Sequence, residues 1–175
     1  MLAYAEKRKP LTPSEVVLRS GTVDVLVVHD DEHLRQLLNL HLWRAGYDVR
    51  LAGNAVDASV LILEAAPDVM ILDVNTQGMG GFDFLAGVRA DRTVPFFPAV
   101  FLTEDKGAAT SARARGLGAA CLLKPVQIDK LLTAIALSTL IQRPRSRRDA
   151  RPDVSPAAAT EALFRFRCVS RAHDL

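Results

Sequence analysis

Between Thr22 and Ile141 the chain alternates, five times over, a short aliphatic or β-branched run with a segment of helical periodicity. A chain patterned this way has few options other than a parallel sheet covered by helices on both faces. The strand candidates are Val23 to Val28, Tyr47 to Ala52, Val69 to Leu72, Ala99 to Leu102 and Ala120 to Leu123. Four of them are nearly continuous apolar runs, as strands buried on both faces should be. The second alternates Tyr47, Val49 and Leu51 with Asp48 and Arg50, which suits an edge strand with one wet face. Leu34, Leu37, Leu38 and Leu42 form a helical stripe that Gly46 is placed to end, and Ala58, Leu61, Ile62 and Ala65 form another before Pro67. Further helices are predicted from about Phe82 to Ala90, from about Gly107 to Arg115 (Ala-rich and weakly apolar) and from Ile128 to Ile141. The predicted fold class is α/β, a (βα)5 doubly wound parallel sheet.

Composition narrows the class of protein. With 175 residues, 49% of them hydrophobic, the chain can bury a core without a metal or a disulfide. Cys121 and Cys168 lack the neighbours of a zinc or disulfide pattern, and a reducing, cytoplasmic setting is expected. No apolar run approaches the roughly 18 residues needed to span a bilayer, and MLAYAEKRKPLTP lacks the apolar core of a secretory signal, so no membrane insertion is expected. The net charge of +2 conceals a division: residues 1–21 carry +2, residues 22–142 carry −4 and residues 143–175 carry +4. Three regions follow: an N-terminal extension (1–21), an acidic domain (22–142), and a basic linker with a C-terminal tail (143–175), in which a helix is expected to start at Ser155-Pro156.

In an open parallel sheet the functional groups gather at the carboxyl ends of the strands. His29, Asp30, Asp31 and Glu32 follow the first strand, Asp73, Val74 and Asn75 the third, Thr103 the fourth and Lys124-Pro125 the fifth. Carboxylate and carbonyl oxygens suit a hard divalent cation, while an ammonium and a hydroxyl suit a phosphoryl group. These residue types at one sheet edge therefore point to a magnesium and phosphoryl site.

With these groups in this order, 43, 30 and 21 residues apart from Asp30 to Asp73 to Thr103 to Lys124, residues 22–142 resemble the receiver domain of bacterial two-component response regulators. The resemblance implies a flavodoxin-like fold with Asp73 as phosphoacceptor. It also implies Mg2+ (or Mn2+) held by Asp30, Asp73 and the backbone carbonyl of Asn75. Thr103 would turn toward the phosphoryl oxygens, Lys124 would pair with them, and Pro125 would follow a cis peptide bond. A carboxylate attacking a phosphoryl group brings two anions together, at a cost of roughly 4 kcal/mol for unit charges 4 Å apart in an effective dielectric near 20. The metal and Lys124 would offset that repulsion, so no general base is needed and the domain is expected to be no enzyme beyond its own phosphoryl transfer. The implied partners are a sensor histidine kinase or phosphotransfer protein, a downstream protein target, and in some cases a second copy of the chain. No output domain is legible, so stand-alone action by docking is expected.

Four positions depart from the family pattern. His29 stands where an acid is usual, and because Mg2+ prefers oxygen the metal should bind weakly, unless Asp31 or Glu32 reaches it through water. Glu104 should crowd the pocket, Cys121 replaces the switch aromatic, and Gln77 replaces a proline in the loop from Thr76 to Gly81. The alternative these raise is an atypical receiver acting as a protein-interaction module. Asn75 and Asp105 are candidates to position a hydrolytic water, Trp43 is expected to pack rather than bind, and His33 and His41 to lie at the surface or its boundary. His29-Asp30-Asp31 is not the Asp-x-Asp of aspartate phosphatases, and an acidic HDDE run would repel a bound phosphate cofactor. Nucleic acid is not an expected partner, since no helix-turn-helix fits the remaining residues.

Overall fold

The computed structural model describes residues 22–76 and 78–141. The expectations placed on the N-terminal extension, the basic linker and tail, Cys168 and Gln77 lie outside the described residues. Five strands, β1 (Asp24–Val28), β2 (Asp48–Ala52), β3 (Val69–Asp73), β4 (Ala99–Thr103) and β5 (Ala119–Leu123), form one parallel sheet in the order β2-β1-β3-β4-β5. Five helices alternate with them: α1 (Glu32–Arg44), α2 (Ala55–Glu64), α3 (Gly81–Ala90), α4 (Ala108–Gly116) and α5 (Ile128–Ile141). The expected doubly wound (βα)5 architecture is the observed one.

The two-residue period of the strands divides the core in two. Val25 and Val27 of β1, Val69 and Ile71 of β3, and Val100 and Leu102 of β4 meet Leu38 and Leu42 of α1 and Leu131 and Ile135 of α5. Their alternates Leu26, Val28, Met70, Leu72 and Phe101 meet Ala58 and Ile62 of α2, Phe84, Leu85 and Val88 of α3, and Ala114 of α4. Register pairs Val25 with Val69 and Ile71 with Val100, so each layer is continuous across the sheet. Local chemistry sets the helix ends. Asp31 caps α1 by accepting from the His33 and Leu34 amides at 2.8 and 3.2 Å, Asn54 caps α2 by accepting from Asp57 at 2.9 Å, and Gly46 leaves α1 at φ 90°.

Three expectations are corrected by packing. β5, expected to be buried, is the second edge of the sheet, and its Leu123 is 42% exposed. A continuous apolar run cannot reveal that no strand among the described residues pairs with its outer side. Trp43, expected to pack, is 69% exposed, because the buried stripe of α1 runs through Leu38 and Leu42 and Trp43 lies about 100° round the helix from Leu42. Leu37 falls outside that stripe for the same reason and is exposed. No helix among the described residues is long and apolar enough to cross a membrane.

Candidate functional site

The parallel ladder itself carries the chemistry to one edge. Beyond β1, the His29 amide still donates to Ala52 O at 3.1 Å; beyond β3, Val74 donates to Leu102 O at 3.0 Å; beyond β5, Lys124 donates to Thr103 O at 2.8 Å. The residues at the strand ends are thereby held by sheet hydrogen bonds before their side chains make any contact. Asp73, the last residue of β3, is 2% exposed, and Lys124 Nζ lies 3.0 Å from its Oδ1. That pair is close enough for an ion pair but off the hydrogen-bonding angle, so Oδ1 has no hydrogen-bond donor among the described residues.

His29 occupies the other side of Asp73. Its Nε2 stands 3.4 Å from Asp73 Oδ2 and its Nδ1 3.2 Å from Asp30 Oδ1, with the ring 4% exposed. Burial holds the imidazole below the usual histidine range, against the opposing pull of the Asp73 carboxylate. The Asp31 amide is shared between His29 Nδ1 at 3.0 Å and Asp30 Oδ1 at 2.9 Å. His29, Asp30 and Asp73 each offer a ligand atom, all within 4.8 Å of one another. Two carboxylates and an imidazole so gathered fit a divalent cation, with one nitrogen where Mg2+ would take oxygen.

The remaining expected residues sort into those that face this cluster and those committed elsewhere. Thr103 ends β4, is 3% exposed, and its Oγ1 accepts from the Asp105 amide at 3.0 Å. Asn75 lies in the exposed turn after β3. The Lys124-Pro125 bond is cis. Asp31 caps α1, and the donated amides of Leu34 and His33 hold its carboxyl below the usual range, so its Oδ1 is committed to the helix N-terminus. Asp105 is likewise taken: its oxygens accept from Thr110 Oγ1 and from the Gly107 amide, which lower its carboxyl in that order and turn it toward α4 rather than toward a hydrolytic water. Glu104, expected to crowd the pocket, is exposed. Cys121 is half-buried, and burial pushes its thiol up, away from the thiolate form.

Three supporting residues escaped the sequence reading. Arg35 donates to His29 O at 2.6 Å and to Asp30 O at 3.3 Å, fixing the acidic loop from the first turn of α1. Thr76 Oγ1, buried, donates to Asp73 O at 2.8 Å. Gly81 opens α3 so close to β3 that a Cβ there would stand 2.2 Å from Asp73 O. A glycine at the start of a helical pattern was the available signal for the last; the other two depend on where backbone carbonyls end up.

The response regulator receiver domain model matches residues 25–136. Among curated proteins, the chain is 31% identical over 148 residues to the DNA-binding transcriptional regulator NtrC of Rhizobium meliloti, covering 81% of this chain and 30% of that one. It is 37% identical over 71 residues to the DNA-binding response regulator MtrA of Mycobacterium tuberculosis, covering 41% and 31%. The chain thus spans about a third or less of the length of the curated relatives it matches. Among solved structures it resembles the Vibrio cholerae chemotaxis protein CheY4, at 31% identity and a TM-score of 0.63 over 67% of this chain and 99% of that one. The receiver domain of a Francisella response regulator shares the fold at 22% identity, with a TM-score of 0.64 over 69% and 98%. A match covering more than half of the residues, on a (βα)5 sheet whose strand ends gather Asp30, Asp73, Thr103 and Lys124, places this chain in the response regulator receiver domain family.

Proposed function

We propose that this receiver takes a phosphoryl group onto Asp73 from a sensor histidine kinase or phosphotransfer protein and signals, as a stand-alone cytoplasmic protein, by docking to a downstream target. The observation that carries this reading is the buried Asp73 carboxylate with Lys124 Nζ 3.0 Å away at the open end of the sheet. In the transfer, an Asp73 oxygen attacks phosphorus and forms a mixed anhydride. The bond from phosphorus to the donor's histidine nitrogen breaks, and that nitrogen keeps the electron pair. Lys124 neutralises part of the charge that gathers, and Thr103, released from the Asp105 amide, supplies a hydroxyl donor to a phosphoryl oxygen. Asp30, Asp73 and the Asn75 carbonyl would hold Mg2+ or Mn2+, whose charge screens the attacking carboxylate from the incoming phosphoryl oxygens. The protein turns over no substrate in this reading; it is a phosphoacceptor.

A second reading is favoured by His29. An imidazole set between Asp30 and Asp73 supports a receiver that holds its acidic cluster together with little metal and works mainly by protein interaction. The relatives named as DNA-binding regulators extend the possible assemblies to nucleic acid. Incubation with a small phosphodonor and Mg2+ or Mn2+ separates the two readings. The first expects a mass increase of one phosphoryl group, absent from Asp73→Asn. No adduct with either metal, or with a cognate kinase, leaves the interaction module.

A further inference from the structure

His29 is the one member of the acidic cluster whose chemistry the family reading does not use. It is buried, its ring is aimed at Asp73, and its Nε2 has no hydrogen-bond partner among the described residues, as is true of Asp73 Oδ1. A buried ring nitrogen without a hydrogen-bond partner, set against a carboxylate whose Oδ1 has only its ion pair with Lys124, calls for a ligand between the two side chains. The Nε2 to Asp73 Oδ2 separation is 3.4 Å. Two ligand atoms bound to a common ion at 2.0–2.1 Å stand about 2.8–3.0 Å apart in octahedral geometry and about 3.3–3.4 Å apart in tetrahedral geometry, so the observed separation fits the tetrahedral case.

We propose that His29 Nε2 is a direct metal ligand, and that the site it forms with Asp73 and Asp30 prefers a nitrogen-accepting transition-metal dication, of the Mn2+, Co2+ and Zn2+ class, to Mg2+. A metal-bound imidazole must present a lone pair at one nitrogen and usually donates from the other to a carboxylate. Asp30 offers that carboxylate, with its Oδ1 3.2 Å from Nδ1. Nδ1 accepts from the Asp31 amide at 3.0 Å, so metal binding moves the ring proton from Nε2 to Nδ1 and turns the Asp31 amide wholly to Asp30 Oδ1, its other acceptor at 2.9 Å. The His29 and Asp30 carbonyls are pinned by Arg35, so the loop that bears both ligands is already ordered. The inference uses the same carboxylate as the proposed phosphoacceptor, but it concerns metal choice and is read without any phosphodonor.

Calorimetric titration of the full chain with Mg2+, Mn2+ and Zn2+, repeated on His29→Asp, is the test. Zn2+ commonly out-binds Mg2+ even where all donors are oxygens, so the informative quantity is the ratio of the two affinities. His29→Asp is expected to lower the Zn2+ to Mg2+ ratio at least tenfold, by weakening Zn2+ and strengthening Mg2+. An unchanged ratio overturns the proposal. Because a third buried carboxylate could unfold the variant, the wild-type protein is also titrated with Zn2+ while the histidine side-chain nitrogens are followed by NMR. The expected result is a metal-bound shift of His29 Nε2 with Nδ1 protonated. A response confined to His33, His41 or His173 overturns it equally. Failure of Asp73 to take a phosphoryl group would leave both measurements unaffected.

Discussion

The helices α3 and α4 lie side by side on one face of the sheet, and they are held there very differently. α3 buries Gly81, Phe82, Phe84, Leu85, Gly87 and Val88, and its first residue touches the backbone of Asp73. α4, almost as long, buries only Ala114 and packs on β5, the half-exposed edge. Its ties to α3 are made at the surface, where Arg113 pairs with Asp83 and lies over the Phe82 ring at 4.7 Å. At its other end, Asp105 joins Thr103 to the first turn of α4 by accepting from Gly107 and Thr110. The strand end that bears Asp73 is thus backed by the firmly packed helix, while the lightly packed one is tied through Asp105 to Thr103. Elements with little buried apolar surface open at low free energy, which is what a readout surface requires.

That contrast can be broken in several places. The largest effect is expected in α3: Phe84→Ala removes a ring that is 1% exposed and should cost about 3–5 kcal/mol, read by denaturant unfolding. If the loss were under about 1 kcal/mol, α3 would not be the anchored helix. Gly81→Ala places a methyl against Asp73 O and should cost about 3 kcal/mol, the upper range for overpacking. It should also slow phosphorylation of Asp73, since β3 or α3 must shift to make room. In α4, native-state hydrogen exchange should show amides of residues 111–116 exchanging by local opening, well before those of residues 85–90 in α3. Equal protection in the two helices would remove the distinction. The smallest change is expected from Arg113→Ala, within about 0.5 kcal/mol, because both partners of its ion pair are more than half exposed. Its consequence should appear instead as faster exchange in α4.

Much of this was legible beforehand, and the reasons are specific. Strand β3 could be read because Val69 to Leu72 is apolar throughout, and Asp73 stood out because a carboxylate closes that run. Lys124 and Thr103 were found by the same rule at β5 and β4. The capping roles of Asp31 and Asp105 are not legible in the sequence, because a carboxylate next to a strand end can serve a metal, a water or a helix N-terminus equally well. Which one it serves depends on where the amides of Leu34 and Gly107 point. Trp43 was misread because a helical stripe tells which residues share a face, not how wide a face the sheet can cover. Arg35 and Thr76 bind carbonyl oxygens, which every residue has, so no residue pattern could mark their partners.

Local pattern alone determined the number of strands, their parallel sense and the set of side chains at their carboxyl ends, because burial on both faces demands apolar runs and a crossover demands helices. Only the tertiary structure decided that His29 lies between Asp30 and Asp73, that β5 is an edge, and that α4 is lightly held. Those facts turn on distances between residues 43 to 94 positions apart in the chain, from Asp30 to Asp73 and to Lys124, and such separations are set by sheet register and packing rather than by any local preference.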